Sequence, residues 1–257
     1  MSIDLRHLGD ASLRLATAAR ILNGDSGEAF FEWLEAQGLQ MAAPPQLQRG
    51  SALAVVRALI LHPPPAAHWP VLLQGARERG RMDLVELFRL PEEPGEACSR
   101  PTLDRELLEM GVGRRIALAR LAPINMMERL VLDHEPRVIA ALLRSPRVRR
   151  QEVLRITTRR RLPLAVAREV LLSHRWSAEY PIVRSLARNE TLLDRWGAAL
   201  TLLLTPKDLG ELAADPKAST ARRRIARFRS LASHGALPER DEPEIRVIEL
   251  DPTAAGD

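Results

Sequence analysis

The segment "VRALILHPPPAAHW", beginning at Val56, aligns without gaps on "VRSLARNETLLDRW" from Val183. Val-Arg, the next Leu and a terminal Trp (Trp69 and Trp196) coincide. Once two residues are dropped, "DLVELFRLP" at residues 83–91 falls on "DLGELAADP" at residues 208–216. A further register relates "VIAALLRSP" from Val138 to "IVRSLARNE" from Ile182. Recurrence of a helix–turn–helix unit marks a stacked repeat, in which each unit buries its apolar face only against its neighbours. The Val56 and Val183 segments are therefore expected to superpose as equivalent helix pairs, with Trp69 and Trp196 mostly buried.

Composition points the same way. Apolar residues make up 46% of the 257 but aromatics only 4%, so the core must rest on Leu, Ala, Val and Ile. Such a core suits helix-on-helix packing better than a β-sandwich. Helices are predicted to start near Asp4, Gly27, Leu53, Trp69, Asp83, Leu103, Arg114, Ile124 and Pro136, then near Arg149, Pro163, Tyr180, Asp194, Pro206 and Ser219. Prolines past the helix ends (Pro63, Pro91, Pro146, Pro216) act as stops. Thr205-Pro206-Lys207-Asp208 reads as an N-cap, a first-turn proline and an acidic N3 residue. The fold expected is all-α, a right-handed stack of short helix pairs. It divides into an N-terminal helical array (1–90), a Pro-rich charged connection (91–102), a basic C-terminal array (103–234) and an acidic tail (235–257) expected to be largely disordered.

"LLRSPRVRRQEVLRI", "LLSHRWSAEYPIVRSLARNETLL" and "LTPKDLGELAADP" give the stretch from about residue 52 to about residue 232 a resemblance. It resembles a bacterial family of helical-repeat proteins of the HEAT-like and leucine-rich-repeat-variant kind. The resemblance implies a HEAT-like α-solenoid and brings no catalytic residues with it. The chain departs from the family pattern at Asn189-Glu190, where Asn-Pro is usual, and at "HPPPAAHW". It also lacks the cysteine cluster that fronts some leucine-rich-repeat variants.

Charge is distributed unevenly. Residues 1–100 carry 10 basic and 12 acidic side chains, residues 101–238 carry 26 and 14, and residues 239–257 carry 2 and 7. The stretch 144–163 holds eight arginines against Glu152 alone. On a helix through it, Val153, Leu154, Ile156 and Thr157 form an inward stripe. Arg144, Arg147, Arg149, Arg150, Arg155 and Arg159, extended by Arg184 and Arg188 on a neighbouring helix, are the candidate polyanion or partner surface. A phosphate-binding role requires Arg149, Arg150 and Arg155 to be exposed and to share a face with Arg184 or Arg188. A solvated helix face, with arginine favoured by a GC-rich coding sequence, explains most of the same cluster. In the tail, Ile245, Val247, Ile248 and Leu250 form a candidate segment for docking on the basic array.

Little points to catalysis. Cys98 is alone, so no intramolecular disulfide or thiolate metal site is expected. The six histidines show no i,i+4 pairing, and neither metal nor cofactor is expected. His62 and His174 fall at predicted helix ends, where the dipole favours a cation. "GVGRR" at residues 111–115 lacks the spacing of a phosphate loop. Trp176, Asp194, Arg195 and Trp196 are the set to watch, because some HEAT-like nucleic-acid enzymes use Trp, Asp and Arg on a concave face. The repeat equivalence of Trp69 and Trp196 favours packing instead. A non-enzymatic scaffold for a protein partner is the leading expectation, nucleic-acid or polyanion binding the alternative, an enzyme third. Without a leader or an apolar run of membrane-spanning length, a cytoplasmic location is expected.

Overall fold

A computed structural model describes residues 3–24, 28–40, 48–91, 105–121 and 123–235. The tail segment with Ile245, Val247, Ile248 and Leu250, and nearly all of the 91–102 connection with Cys98, lie outside the described residues. Within them the chain is helical, with no strand.

A 3-10 turn at Leu5–His7 precedes α1 (Ala11–Gly24), α2 (Glu28–Ala36) and α3 (Arg49–Leu61). A second 3-10 turn leads into α4 (Trp69–Glu78) and α5 (Met82–Arg89). Then follow α6 (Arg105–Glu109), α7 (Val112–Leu121), α8 (Ile124–Leu130), α9 (Pro136–Arg144), α10 (Arg150–Thr157) and α11 (Leu164–Leu172). The last group is α12 (His174–Ser177), α13 (Tyr180–Ala187), α14 (Asp194–Thr201), α15 (Pro206–Ala213) and α16 (Thr220–Ser233).

The boundaries follow local chemistry. Pro136, Pro181 and Pro206 occupy the first turn of their helices, where no backbone donor is lost. The Thr205 hydroxyl caps α15 through the Asp208 amide, and the Ser219 hydroxyl caps α16 through the Arg222 amide. Gly80, at φ +63°, ends α4 in the left-handed conformation, and the Arg81 amide reaches back to the Ala76 carbonyl at 2.9 Å. Helix α9 shows how a face is spent: Val138, Ile139, Ala141, Leu142 and Leu143 are buried, while Arg144 at its end is exposed.

Helices pack in overlapping pairs. α7 lies on α9, α9 on α11, α13 on α14, α14 on α16 and α15 on α16, while α10 packs against α13. The earlier helices pack α1 on α3 and α4 on α5, and then close onto the later ones, α3 against α14 and α5 against α16. One continuous aliphatic core runs through both groups.

The aligned copies keep the same helix order, α3–α4–α5 and α13–α14–α15, but differ in packing. α4 packs on α5, whereas α13 packs on α14 and α15 on α16. Trp69 and Trp196 are both mostly buried, each packed against the edge of the core with part of its ring exposed. The Arg195 guanidinium lies 3.6 Å from the Trp69 ring centroid, and Phe88 packs on the same ring at 5.7 Å.

Charged groups stitch the early helices to the late ones. Arg57, buried in α3, donates to the Leu172 carbonyl at 3.2 Å and to His174 Nδ1 at 2.8 Å. Ser12 Oγ lies 3.1 Å from His174 Nε2. Burial pushes the Arg57 guanidinium down to about 10, which leaves it charged at neutral pH. His174 Nδ1 must then accept, so the ring is neutral. Burial and the Arg57 charge hold its pKa below the ordinary imidazole value, against a smaller opposing pull from Asp10. The cationic end-of-helix histidine expected from the sequence is thus reversed by a buried arginine.

This contact contributes stability that is fully present above the unfolded imidazole pKa of about 6.5. That stability falls as pH drops below this value, because the folded state resists the proton. His134 shifts in the same direction, so a comparison isolates His174. Urea midpoints should fall further on acidification in the wild type than in His174→Gln; equal slopes would reject the assignment.

Candidate functional site

An open cleft of about 960 Å³ lies between the end of α10, the exposed side of α13, and α15. Leu154 and Pro181 give it an apolar floor. Arg159 and Arg160 line it from the end of α10, Arg184 and Arg188 from one face of α13, and Lys217 from the turn after α15. Glu190 and Glu211 are its carboxylates.

The cleft has a built frame. Asn189, buried after α13, donates Nδ2 to the Thr157 carbonyl at 2.8 Å and to the Arg159 carbonyl at 2.9 Å. Its Oδ1 accepts from the Thr191 amide and hydroxyl. This amide therefore fixes the end of α10 against the end of α13, and with them the two arginine pairs. On the opposite wall, Glu211 bridges Arg184 at 3.0 Å and Arg188 at 2.8 Å. Arg184 Nε also meets Asp208 Oδ1 at 2.5 Å. Asp208 accepts from the Tyr180 and Thr205 hydroxyls. Burial opposes its ionisation, but these donors and Arg184 outweigh burial and hold its carboxyl below the usual range. Arg188 and Arg184 do the same for Glu211.

The structure brings together Arg159, Arg184 and Arg188 of the residues singled out from the sequence. Arg149, Arg150 and Arg155 are exposed, as a polyanion surface requires, but they lie outside the cleft lining. Arg150 pairs with Glu179 at 2.7 Å, and Arg155 with Glu128 at 2.9 Å. Arg147 donates to the Leu121 carbonyl at 3.2 Å, and Arg159 to the Asp133 carbonyl at 2.8 Å. Arg144 is exposed at the end of α9, and the Arg149 backbone amide is capped by Glu152 at 2.8 Å. Four of the eight arginines in residues 144–163 are therefore met by carboxylates or carbonyls from neighbouring segments. Lys217, Glu211 and Asn189 are not among the site residues singled out from the sequence; the sequence signal for Asn189 and Lys217 is the pair of turn motifs, "RNET" and "ADPK", that border the cleft, and Glu211 lies outside both.

The Trp–Asp–Arg set does not converge on one cleft. Trp176 is buried, donating Nε1 to the Leu143 carbonyl at 2.9 Å with Arg175 stacked 4.2 Å from its ring centroid. Asp194 pairs with the buried Arg222 at 3.3 Å. Arg195 and Trp196 line a separate cavity of about 240 Å³ with Ile60, Pro63, Pro91 and Leu193. Among the described residues no cluster of His, Cys, Asp and Glu is arranged to hold a metal ion, and no helix is long and apolar enough to cross a membrane. Compared with protein-family models, curated protein sequences and solved structures, the chain gives no match.

Proposed function

We propose that the chain is a non-enzymatic helical-repeat scaffold of the HEAT-like kind that holds a protein partner. On this reading α9, α11, α14 and α16 form one row of a stack and α8, α10, α13 and α15 the other. The order of contacts α9–α11, α14–α16 and α10–α13 supports it. One observation carries the proposal. Helices α3 and α5 occupy α14 and α16, so the partner-accepting surface is the opposite row, where the open cleft lies. The groups with chemical potential are engaged structurally: Asp83 and Asp133 by buried arginines, Asp194 by Arg222, His174 by Arg57.

Polyanion binding has less behind it. Arg150, Arg155, Arg184 and Arg188 each have a carboxylate partner on a neighbouring helix or its flanking turn, which breaks up the continuous positive stripe that phosphates need.

Purification from native cells, with and without nuclease, tests the proposal. The expected result is a stoichiometric protein whose retention survives nuclease and which re-forms the complex when both components are purified. Retention of nucleic acid alone would overturn it.

A further inference from the structure

Resting on the scaffold reading, we infer that the cleft between α10, α13 and α15 takes an acidic polypeptide segment of the partner, with aliphatic side chains interleaved among its carboxylates. The charge of the lining selects the sign. Arg159, Arg160, Arg184, Arg188 and Lys217 face Glu190 and Glu211. Arg160 and Lys217 are exposed, and among the described residues their side chains have no carboxylate partner.

The geometry selects carboxylate over phosphodiester. Arg184 on α13 and Arg188 at its C-terminal cap, one turn apart, already hold one carboxylate between them, that of Glu211. They are preorganised at the spacing a second carboxylate can use; because a guanidinium fork binds carboxylate and phosphate alike, the choice between them falls to the acidic groups of the wall. A nucleic-acid backbone would meet Glu190 and Glu211 in the same wall, a repulsion that a peptide avoids by setting an aliphatic side chain there. Leu154 and Pro181 offer that side chain an apolar floor. The volume, about 960 Å³, is at the upper end for small-molecule pockets, and the cleft is open to solvent, which fits a run of several residues better than an enclosed ligand.

Fluorescence anisotropy with a labelled peptide of repeating Glu-Glu-Leu tests the inference on the full chain, with oligothymidylate of matched charge as the competing polyanion. The double variant Arg160→Glu/Lys217→Glu should bind the peptide about tenfold more weakly or worse. Arg120→Glu/Arg168→Glu, which changes net charge equally on exposed positions outside the cleft, should bind nearly as wild type. Glu211→Gln should bind more tightly than wild type, because it removes the carboxylate that competes for both arginines while Arg184 keeps Asp208. Equal losses in the two double variants, or no gain in Glu211→Gln, would overturn the inference. Should the peptide fail while a nuclease-resistant protein partner is recovered, this inference falls and the scaffold reading survives. Tighter, cleft-dependent binding of oligothymidylate would overturn both.

Discussion

Replacing Asp83 with asparagine is expected to destabilise the fold by about 3–5 kcal/mol, the range for breaking a buried ion pair from one side. Asp83 is fully buried at the start of α5, with Arg81 Nε at 3.0 Å and Arg229 Nη1 at 2.7 Å. Arg229, also fully buried, donates further to the Gln40 carbonyl at 2.7 Å and the Leu202 carbonyl at 2.9 Å. One carboxylate thus bridges two guanidiniums at the junction of α5 and α16, with Glu35 as a second partner of Arg81. Burial by itself works against its ionisation, but Arg81 and Arg229 outweigh burial and hold its pKa below the usual carboxylate value. Its contribution is therefore present above the unfolded pKa of about 3.9 and is lost as pH falls toward the folded value. Asparagine leaves both cations in place with one weak acceptor between them. The melting temperature should drop on the order of 10 °C at neutral pH, with a flatter acid limb than wild type. Asp83→Leu combined with Arg229→Met should recover most of the loss, since Arg81 keeps Glu35 and the Leu39 carbonyl. A single variant as stable as wild type would show that α5 and α16 are held by apolar packing alone.

That cluster also marks where the sequence stops being readable. The starts of α4, α8, α9, α13, α14 and α15 coincide with the predicted ones, because proline, cap residues and period leave a local trace. Asp4 opens a 3-10 turn rather than a helix, with α1 waiting until Ala11, and the short α12 has no distinct periodicity of its own. Contacts between distant segments leave no such trace. Arg57 and His174 are 117 positions apart, and Asp83 and Arg229 are 146 apart. Neither partner signals the other by type or spacing.

The charge asymmetry was misleading for the same reason. Arg115, Arg222 and Arg229 count toward the positive balance of residues 101–238, yet all three are buried. Outside the core, Arg150, Arg155, Arg184 and Arg188 find carboxylates on other helices or their flanking turns, which a linear count of residues 144–163 cannot register. What was legible in the candidate site is the grouping of Arg159, Arg184 and Arg188, since helix period and adjacency of units suffice for that. Arg160, Lys217 and the Asn189 frame required knowing which turns abut.

A second substitution should reverse its sign with context. Gly197, in α14, lies under the guanidinium of Arg222, and a Cβ there would overlap Cζ and Nε and stand 2.6 Å from Nη2. Arg222 cannot easily give way. Its Nη1 donates to the Asn189 carbonyl at 2.7 Å, and Nη2 to the carbonyls of Leu192 and, at 3.2 Å, Leu193. Asp194 completes the set at 3.3 Å, with the whole arginine buried. Gly197→Ala should therefore lower stability by about 3 kcal/mol, overpacking and stranded carbonyls outweighing a helix-propensity gain of up to ~1 kcal/mol. Arg222→Ala should be costly by itself, because it removes the side-chain donor shared by three carbonyls, of which Asn189 and Leu193 keep backbone donors. In that background, however, the guanidinium that would overlap the methyl at position 197 is gone, and the propensity gain is no longer offset by that clash. Gly197→Ala should then stabilise, so the double variant should be more stable than Arg222→Ala alone. Denaturant unfolding of the four proteins measures the coupling. If alanine at 197 is equally harmful with and without Arg222, the glycine serves the backbone of α14 rather than the guanidinium packed on it.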